Sequence, residues 1–397
     1  MPPRPALAAA LGLHGVLALT MATILALPVM APAVAADTGL PASLLGAYSF
    51  LMWSAAMLAS GVIGELIGRF GALRTVQASL ALAAIALLCA ASGHFAGLAA
   101  APPLMGIACA METPASSDVL ARVTPPSHRT FIFSLKQTGV QLGGMIAGVA
   151  FPAALPALGW RGALAALAGL LVAWALALEP LRRRIDRRAQ VPHPQGGRRG
   201  SLARIWRVRG LRDLATASFV FHALQICLNT FLVAYLVGEH GYALAAAGVM
   251  LSLAQFGGFV GRLGFGFVIG PRFGVMRLLT MIGFGMTAAA LATGLFAGSL
   301  TPLVLGVLCF LFGLTAAGWN GVFLAEIARQ APAGEIARVT GGVMVASYAG
   351  LILGPVAFSA AAAAATLGAG YVLLSTATFA GTMVLRRSQS RPEARPV

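Results

Sequence analysis

Charged residues are scarce in this chain. They make up 10% of its 397 residues, whereas soluble globular domains contain about 25%. Hydrophobic residues make up 59%, and the mean hydropathy is +0.87. A sequence with so little charge cannot cover the surface of a water-soluble protein, and its composition is typical of an all-α polytopic membrane protein. At about 20 residues per membrane-spanning helix, with short loops, the length allows roughly twelve spans.

Cysteine is scarce as well, and nucleotide-binding motifs are missing from the sequence. The four cysteines all lie in apolar stretches and form no C-x-x-C pair, so a disulfide framework or a metal site has no support. No G-x-x-x-x-G-K-[ST] motif occurs, and direct coupling to ATP is therefore not expected. Clustered catalytic residues are also missing, so we expect neither an enzyme nor a bound cofactor.

Lysine is nearly absent, because the basic residues are 26 arginines and the single lysine Lys136. Eleven of the arginines, with two aspartates, lie in the stretch Leu181–Asp213. A run this basic, with Pro and Gly inside it, cannot bury a core and should stay in water. We interpret it as a linker between two halves of the chain. Nucleic-acid binding is the alternative for such a run, but the flanking segments are too apolar for it.

Twelve apolar segments are predicted to span the membrane. They divide the chain into an N-terminal six-helix bundle at 1–180, a basic cytoplasmic linker at 181–212 and a C-terminal six-helix bundle at 213–397 with a short basic tail. The first segment is longer than the apolar core of a signal peptide and is therefore assigned as a span. The predicted segments are 9–33, 43–66, 75–95, 98–121, 131–153, 162–179, 213–237, 245–269, 276–297, 302–326, 337–361 and 367–385.

The basic residues agree with this topology. Both termini and the linker fall on one side, which carries 24 basic residues, whereas only Arg161 falls on the other. Lys136 and Arg262 remain within the membrane. Because bacterial inner membranes keep Lys and Arg on the cytoplasmic side, we expect an inner-membrane protein whose two termini are cytoplasmic.

The two halves of the sequence resemble each other. Three short matches occur in the same order, at offsets of 203, 204 and 207 positions, and together they imply a duplicated six-span unit. The matched pairs are Arg69–Arg74 with Arg272–Arg277, Leu120-Ala121 with Leu324-Ala325, and Val149–Phe151 with Val356–Phe358.

A duplicated twelve-span chain with a basic central loop resembles the major facilitator superfamily of secondary transporters. The signature of that family between spans 2 and 3 is G-x-x-x-D-R-x-G-R-[RK]. Here Gly64, Arg69 and Gly71 match it, whereas Gly68 and Ala72 replace the Asp and the first basic residue. Two further stretches, Phe133–Gly139 and Gly261–Gly264, are similar to the cyanate-permease and monocarboxylate-porter branches. The resemblance implies two rocking bundles with the substrate site at the midplane between them.

In proteins that the chain resembles, ion pairs near this signature latch a cytoplasmic gate. Two helical pairs are predicted from spacing: Asp118 with Arg122 at i,i+4, and Glu326 with Arg329 at i,i+3. Glu65, one turn before Gly68, could replace the missing Asp. The residues assigned to the gate are Glu65, Arg69, Arg74, Asp118, Arg122, Arg272, Arg277 and Glu326.

Arg262 is the deeper of the two basic residues in the membrane, about 12 Å from the predicted end of span 8 at 1.5 Å per residue. An arginine at the centre of a membrane helix costs about 2.5–3.5 kcal/mol on insertion scales. Ser252 and Gln255 share its helical face. A guanidinium fits a carboxylate as a planar fork, so we expect Arg262 to bind an anionic substrate. The alternative is a structural ion pair with an acid in the membrane.

Lys136 lies about 8 Å from the inner end of span 5 and is the second candidate anion contact. Gln137 and Gln141 lie beside it on a polar face. The alternative is that Lys136 extends back to the cytoplasmic surface. Glu112, near the middle of span 4, could carry a proton, because a carboxyl in low dielectric can be neutral or charged near physiological pH. Alternatively, it could be a permanent partner of Arg262 or Lys136.

His222, Gln225 and Asn229 share one face of span 7, and His14 lies 208 positions before His222 in the first half. His222 is a candidate proton relay, with a hydrogen-bonded structural role as the alternative. Side chains on spans 10 and 11 could add contacts to the cavity or only pack between helices; they are Trp319, Asn320, Ser347 and Tyr348.

The sequence therefore predicts a monomeric secondary transporter in a lipid bilayer that moves a small organic anion, such as a monocarboxylate, with a proton. A proton-driven drug exporter of the same superfamily is the alternative. Such exporters usually carry a Gly-Pro pair in span 5, where this chain has Gly143-Gly144, and its Gly354-Pro355 pair lies on span 11. An integral-membrane enzyme is a further, weaker alternative.

Overall fold

The structure is a computed structural model that describes residues 4–41, 44–60, 62–125, 132, 135–185, 209–265, 274–330 and 336–389. These residues form α-helices joined by short turns, and no β-strand occurs among them. The chain divides into two compact units. Unit 1 comprises Met1–Ala42 and Tyr48–Gln195, and unit 2 comprises Ser43–Ala47 and Gly196–Val397.

Unit 1 contains the helices of the first half, apart from the first three residues of the second helix, which belong to unit 2. They are α1 (Arg4–Thr38), α2 (Leu45–Ala59), α3 (Ile63–Phe70), α4 (Ala72–Ala91), α5 (Phe95–Val123), α6 (Gly139–Ala177) and α7 (Glu179–Ile185).

Unit 2 contains the helices of the second half. They are α8 (Arg209–Gly238), α9 (Leu244–Gly264), α10 (Val275–Phe296), α11 (Pro302–Gly318), α12 (Asn320–Gln330), α13 (Ile336–Ala364) and α14 (Leu367–Gln389). Of the predicted linker, residues 186–208 lie outside the described residues.

Ten helical runs in the described residues are long and apolar enough to cross a membrane, or eleven if the bent pair α2 and α3 counts as one span. One run, Leu135–Ile185, has 51 residues. At 1.5 Å per residue it would be about 75 Å long as a straight helix, more than twice the roughly 30 Å of a bilayer core. It bends at Gly159, where φ is 64°, and covers both segments predicted at 131–153 and 162–179. The all-helical membrane fold is confirmed.

Two predicted spans differ in detail from the structure. The segment 43–66 is not one straight helix, because α2 and α3 meet at an angle of 59°. The segment 302–326 is divided into α11 and α12 at Trp319. Hydropathy reports how apolar a stretch is, and it carries no information on the direction of the helix axis. These breaks therefore could not be predicted from the apolar runs.

Helices α9 and α11 of unit 2 pack with their backbones in close contact. A β-carbon on Gly257 would overlap the carbonyl oxygen of Phe310, and one on Gly313 would overlap that of Ala254. Small residues permit such an approach between membrane helices. This contact fixes α9, and with it the Arg262 side chain, against the C-terminal end of α11.

Replacing Gly257 with alanine should therefore destabilise the protein, because the new methyl group meets backbone that cannot rotate away. Overpacking of this kind costs about 1–3 kcal/mol. Gly264→Ala is the matched control on the same helix, because no atom of the described residues lies within 4 Å of the corresponding β-carbon position. Thermal unfolding in detergent should show a lower midpoint for Gly257→Ala only. Equal midpoints for the two variants would contradict the packing.

Candidate functional site

The polar face of α8 joins side chains from two other helices of unit 2. The Asn229 Oδ1 accepts a hydrogen bond of 3.0 Å from the Gln255 Nε2 on α9. The Gln225 Oε1 accepts a longer one, 3.5 Å, from the Asn320 Nδ2 on α12. The structure thus brings together four of the predicted substrate-binding residues. Two of them, Gln225 and Asn229, lie 3 and 7 positions after His222, and this spacing places them on one face of α8.

Arg262 lies on α9, two turns after Gln255. Its Nε donates a hydrogen bond of 3.2 Å to the Ala317 carbonyl. This is one of the last four carbonyls of α11, which accept no hydrogen bond from N–H groups of that helix. The negative end of the α11 dipole adds a favourable interaction with the guanidinium. The predicted continuation of the span at 266–269 lies outside the described residues, and so the depth of Arg262 stays a prediction.

The remaining donors of Arg262 are not occupied by protein groups in the part of unit 2 that the structure describes. Neither Nη atom makes a hydrogen bond there, and no carboxylate oxygen lies within 4.0 Å of the guanidinium. The side chain is half-buried. Within the described part of unit 2, the Arg262 guanidinium is therefore bound by one backbone carbonyl through its Nε. Its two Nη groups are available to a ligand.

His222 lies one turn before Gln225 on α8. Its Nδ1 is 3.0 Å from the Ser218 carbonyl, and because a carbonyl oxygen only accepts, Nδ1 carries the hydrogen. The ring packs edge-to-face on Trp319, with 4.7 Å between centroids. His222 and Arg262 thus contact positions two residues apart where α11 ends, Trp319 and Ala317. We call the following residues the unit 2 polar cluster: His222, Gln225, Asn229, Gln255, Arg262 and Asn320.

Lys136 and Glu112 form a buried ion pair in unit 1. The Lys136 Nζ lies 3.2 Å from the Glu112 Oε1, and each side chain is 1% exposed. The Thr113 hydroxyl, which the sequence did not single out, donates to the other carboxylate oxygen at 2.8 Å. The alternative that Lys136 extends back to the cytoplasmic surface does not agree with this enclosed side chain. The role of Lys136 as an anion contact stays a prediction, and its ammonium already faces a carboxylate.

Other predicted side chains are less closely joined to these groups. Gln141 is buried on α6, and its Oε1 has no hydrogen-bond partner among the described residues, whereas Gln137 is exposed. The Ser252 hydroxyl donates to the Gly248 carbonyl within α9. Tyr348 is half-buried on α13. Among the described residues, no three His, Cys, Asp or Glu side chains are placed to hold a metal ion.

Comparison with known proteins shows the family of this chain. The sequence profile of the Major Facilitator Superfamily matches residues 13–355, which is most of the chain. The protein belongs to the major facilitator superfamily. A search of curated protein sequences gives no match. The cyanate-permease and monocarboxylate-porter branches are finer assignments and stay predictions.

Solved structures of superfamily transporters share the fold across nearly the whole chain. A bacterial homologue of the human lysosomal transporter Spinster, inward-facing and unoccupied, is 17% identical with a TM-score of 0.72 over 98% of this chain and 96% of its own. The nucleoside transporter NupG, as a variant, is 14% identical with a TM-score of 0.75 over 96% and 99%. A variant of the E. coli fucose:proton symporter FucP is 15% identical with a TM-score of 0.63 over 97% and 99%. Because the chain belongs to a family of transporters, it is a transporter rather than an enzyme.

Both ion pairs predicted near the superfamily signature are confirmed. Asp118 and Arg122 are 2.6 Å apart, and Glu326 and Arg329 are 2.7 Å apart. Arg69 lies over the ring of its neighbour Phe70. Their role in a cytoplasmic gate stays a prediction, as do the gate assignments of Glu65 in the first turn of α3 and Arg277 in the first turn of α10. Arg272 lies outside the described residues.

The sequence reasoning missed Glu179, which is a second charged centre near the signature in unit 1. Its carboxylate contacts Arg182, Arg183 and the Gln77 amide, and lies 3.9 Å from Arg74. The i,i+3 and i,i+4 spacing of Glu179 to the first arginines of the basic stretch was the available signal.

It also missed an acidic residue at the C-terminal end of the first span in each unit. The Asp37 carboxylate accepts hydrogen bonds from the Trp160 Nε1 at 3.1 Å and from Arg161 at 2.9 Å. In unit 2, the Glu239 carboxylate accepts from the backbone N–H groups of Leu367 and Gly368 at the start of α14. In each unit, therefore, an acid near the end of the first span binds residues near the start of the sixth predicted span. Arg161 has a carboxylate partner in Asp37.

Proposed function

We propose that this transporter is a secondary carrier that moves a small organic anion across the bacterial inner membrane by alternating access, together with a proton. Both termini would then be cytoplasmic. The observation that carries the proposal is the uncompensated charge of Arg262 in the described part of unit 2, where no carboxylate lies within 4.0 Å of it.

The cost of placing an arginine in a membrane span supports an anionic ligand. About 2.5–3.5 kcal/mol is lost on insertion scales, and one hydrogen bond to the Ala317 carbonyl recovers only part of it. A substrate carboxylate could take both Nη groups at once, which is the geometry that a guanidinium favours. Amide side chains in the unit 2 polar cluster can orient the rest of a small polar molecule. A cationic drug would instead be repelled.

The buried pair in unit 1 supports a separate role for Glu112. With Lys136 at 3.2 Å, the carboxylate is neutralised without a substrate. If Glu112 takes up a proton, the pair loses its attraction and Lys136 is left with a buried charge. Protonation would thus change the contact between α5 and the residue that precedes α6. We propose this pair as the proton-coupling element.

Uptake into proteoliposomes tests the proposal. Purified protein should accumulate labelled monocarboxylates, faster with an inward proton gradient, and unlabelled anions should compete. Liposomes without protein and liposomes with a protonophore are the controls. Transport of neutral nucleosides or cationic drugs that no carboxylate inhibits would contradict an anion carrier. Anion uptake that is indifferent to the proton gradient would leave the anion site but remove proton coupling.

A further inference from the structure

His222 presents a hydrogen-bond acceptor near the end of α11, where Arg262 also makes its hydrogen bond. Its Nδ1 hydrogen is used by the Ser218 carbonyl at 3.0 Å. A neutral imidazole has one N–H, so the other nitrogen, Nε2, then carries a lone pair and can only accept. The edge-to-face contact with Trp319 fixes the ring plane, since the two rings are inclined by 78°. The orientation of this acceptor is therefore set by the backbone of α8 and by one packed aromatic ring.

The acceptor is also accessible to a ligand. The side chain of His222 is half-buried, and Nε2 makes no hydrogen bond within the described residues. Arg262, on α9, donates to the Ala317 carbonyl at 3.2 Å, close to the end of α11. The guanidinium and the neutral acceptor are thus anchored at positions 317 and 319, two residues apart in the chain.

We propose that His222 determines substrate specificity by selecting carboxylates that carry a hydroxyl group close to the carboxylate. The inference rests on the proposed anion transport: the carboxylate binds the Arg262 fork, and the hydroxyl donates its hydrogen to the His222 Nε2. A carboxylate without a donor would leave that nitrogen without its hydrogen bond when the ligand displaces water.

The charge around the acceptor indicates a hydroxyl rather than an ammonium as the donor. An ammonium would bring a second positive charge next to Arg262, and like charges placed together are unfavourable. The described residues of unit 2 offer no carboxylate within 4.0 Å of Arg262 to offset it. The class that fits is therefore the hydroxy acids, and the amino acids fit poorly.

Matched pairs of competitors test the selection. Inhibition of labelled anion uptake by 2-hydroxypropanoate should be about tenfold stronger than inhibition by propanoate, and the 2-hydroxybutanoate and butanoate pair should behave in the same way. A site that hydrogen-bonds a hydroxyl can discriminate more strongly when fully buried, but here the cluster is half-buried. In His222→Phe, which keeps an aromatic ring against Trp319, the two members of each pair should inhibit equally.

Two further variants separate selection from a merely structural role. His222→Gln retains a carbonyl acceptor and should restore part of the preference. His94→Phe makes the same change at an exposed histidine and should preserve the full preference. A structural role of His222 would weaken both members of a pair by the same factor, and that result would overturn the proposal.

The outcomes also distinguish this inference from the anion site itself. If no carboxylate inhibits the wild-type protein, the proposed function fails. If carboxylates compete but hydroxy and deoxy members inhibit alike in the wild type, only the role of His222 fails. That comparison needs no variant, so the inference stays testable even if His222→Phe does not fold.

Discussion

Replacing Arg262 with lysine is expected to weaken anion binding by roughly 30-fold or more. Loss of a buried charged contact costs about 2–5 kcal/mol, and each 1.4 kcal/mol is about tenfold in affinity. Lysine keeps the charge but cannot present two parallel N–H groups to a carboxylate. It also loses the Nε donor that the structure joins to the Ala317 carbonyl at 3.2 Å.

The measurement is the concentration of unlabelled anion that halves labelled uptake. Arg161→Lys is the matched control, because the same replacement is made at a side chain that is 53% exposed and paired with Asp37. An exposed pair of this kind contributes about 1 kcal/mol or less, so the control should bind normally. Unchanged affinity in Arg262→Lys would show that the substrate does not use the guanidinium fork.

A second substitution tests whether Arg262 instead balances Glu112. The structure pairs Glu112 with Lys136, and so neutralising the glutamate should not rescue Arg262→Gln. The double variant Arg262→Gln with Glu112→Gln should transport anions poorly. Full anion transport by that double variant would remove Arg262 from the substrate site and make it a structural partner.

The sequence was sufficient to predict several groups of residues that share one helix. The 3 and 7 spacing of His222, Gln225 and Asn229 defines one face of α8, and the structure uses that face for the unit 2 polar cluster. The pairs Asp118–Arg122 and Glu326–Arg329 follow from the pitch of a helix in the same way. These contacts depend only on local geometry, which the spacing determines.

Contacts between helices could not be derived in this way. The sequence left Glu112 with two possible basic partners, and the choice of Lys136 depends on how α5 packs beside the residues before α6. The orientation of the His222 ring depends on its contact with Trp319, which lies about 100 positions later in the sequence and outside α8. Hydropathy also could not show the bends at Gly159 and between α2 and α3. It reports how apolar a stretch is, and a straight and a bent helix of the same sequence have the same hydropathy.

Removing the charge of Glu112 alone is expected to destabilise the protein strongly. In Glu112→Gln, the Lys136 ammonium would remain enclosed, 1% exposed, without a carboxylate beside it. Breaking one side of a buried pair costs about 3–5 kcal/mol. Replacing both residues, as in Glu112→Gln with Lys136→Met, removes both charges together and should recover most of that loss.

A double-mutant cycle on unfolding in detergent measures the coupling between the two side chains. The matched cycle uses Asp37→Asn and Arg161→Met, a pair that is 46% and 53% exposed, where the coupling should be within about 1 kcal/mol. A similarly small coupling at Glu112 and Lys136 would mean that the buried ion pair does not stabilise unit 1.

The same double variant also tests proton coupling, because it should remain folded and so allows transport to be measured apart from a loss of stability. Because Glu112→Gln with Lys136→Met keeps the volume of both sites and has no titratable group at either, it should fold and retain Arg262. Anion exchange without a proton gradient should therefore persist in proteoliposomes. An inward proton gradient should no longer accelerate uptake, since no carboxyl remains at this position to carry the proton. Wild-type stimulation by the gradient in a folded double variant would assign proton coupling to a residue other than Glu112.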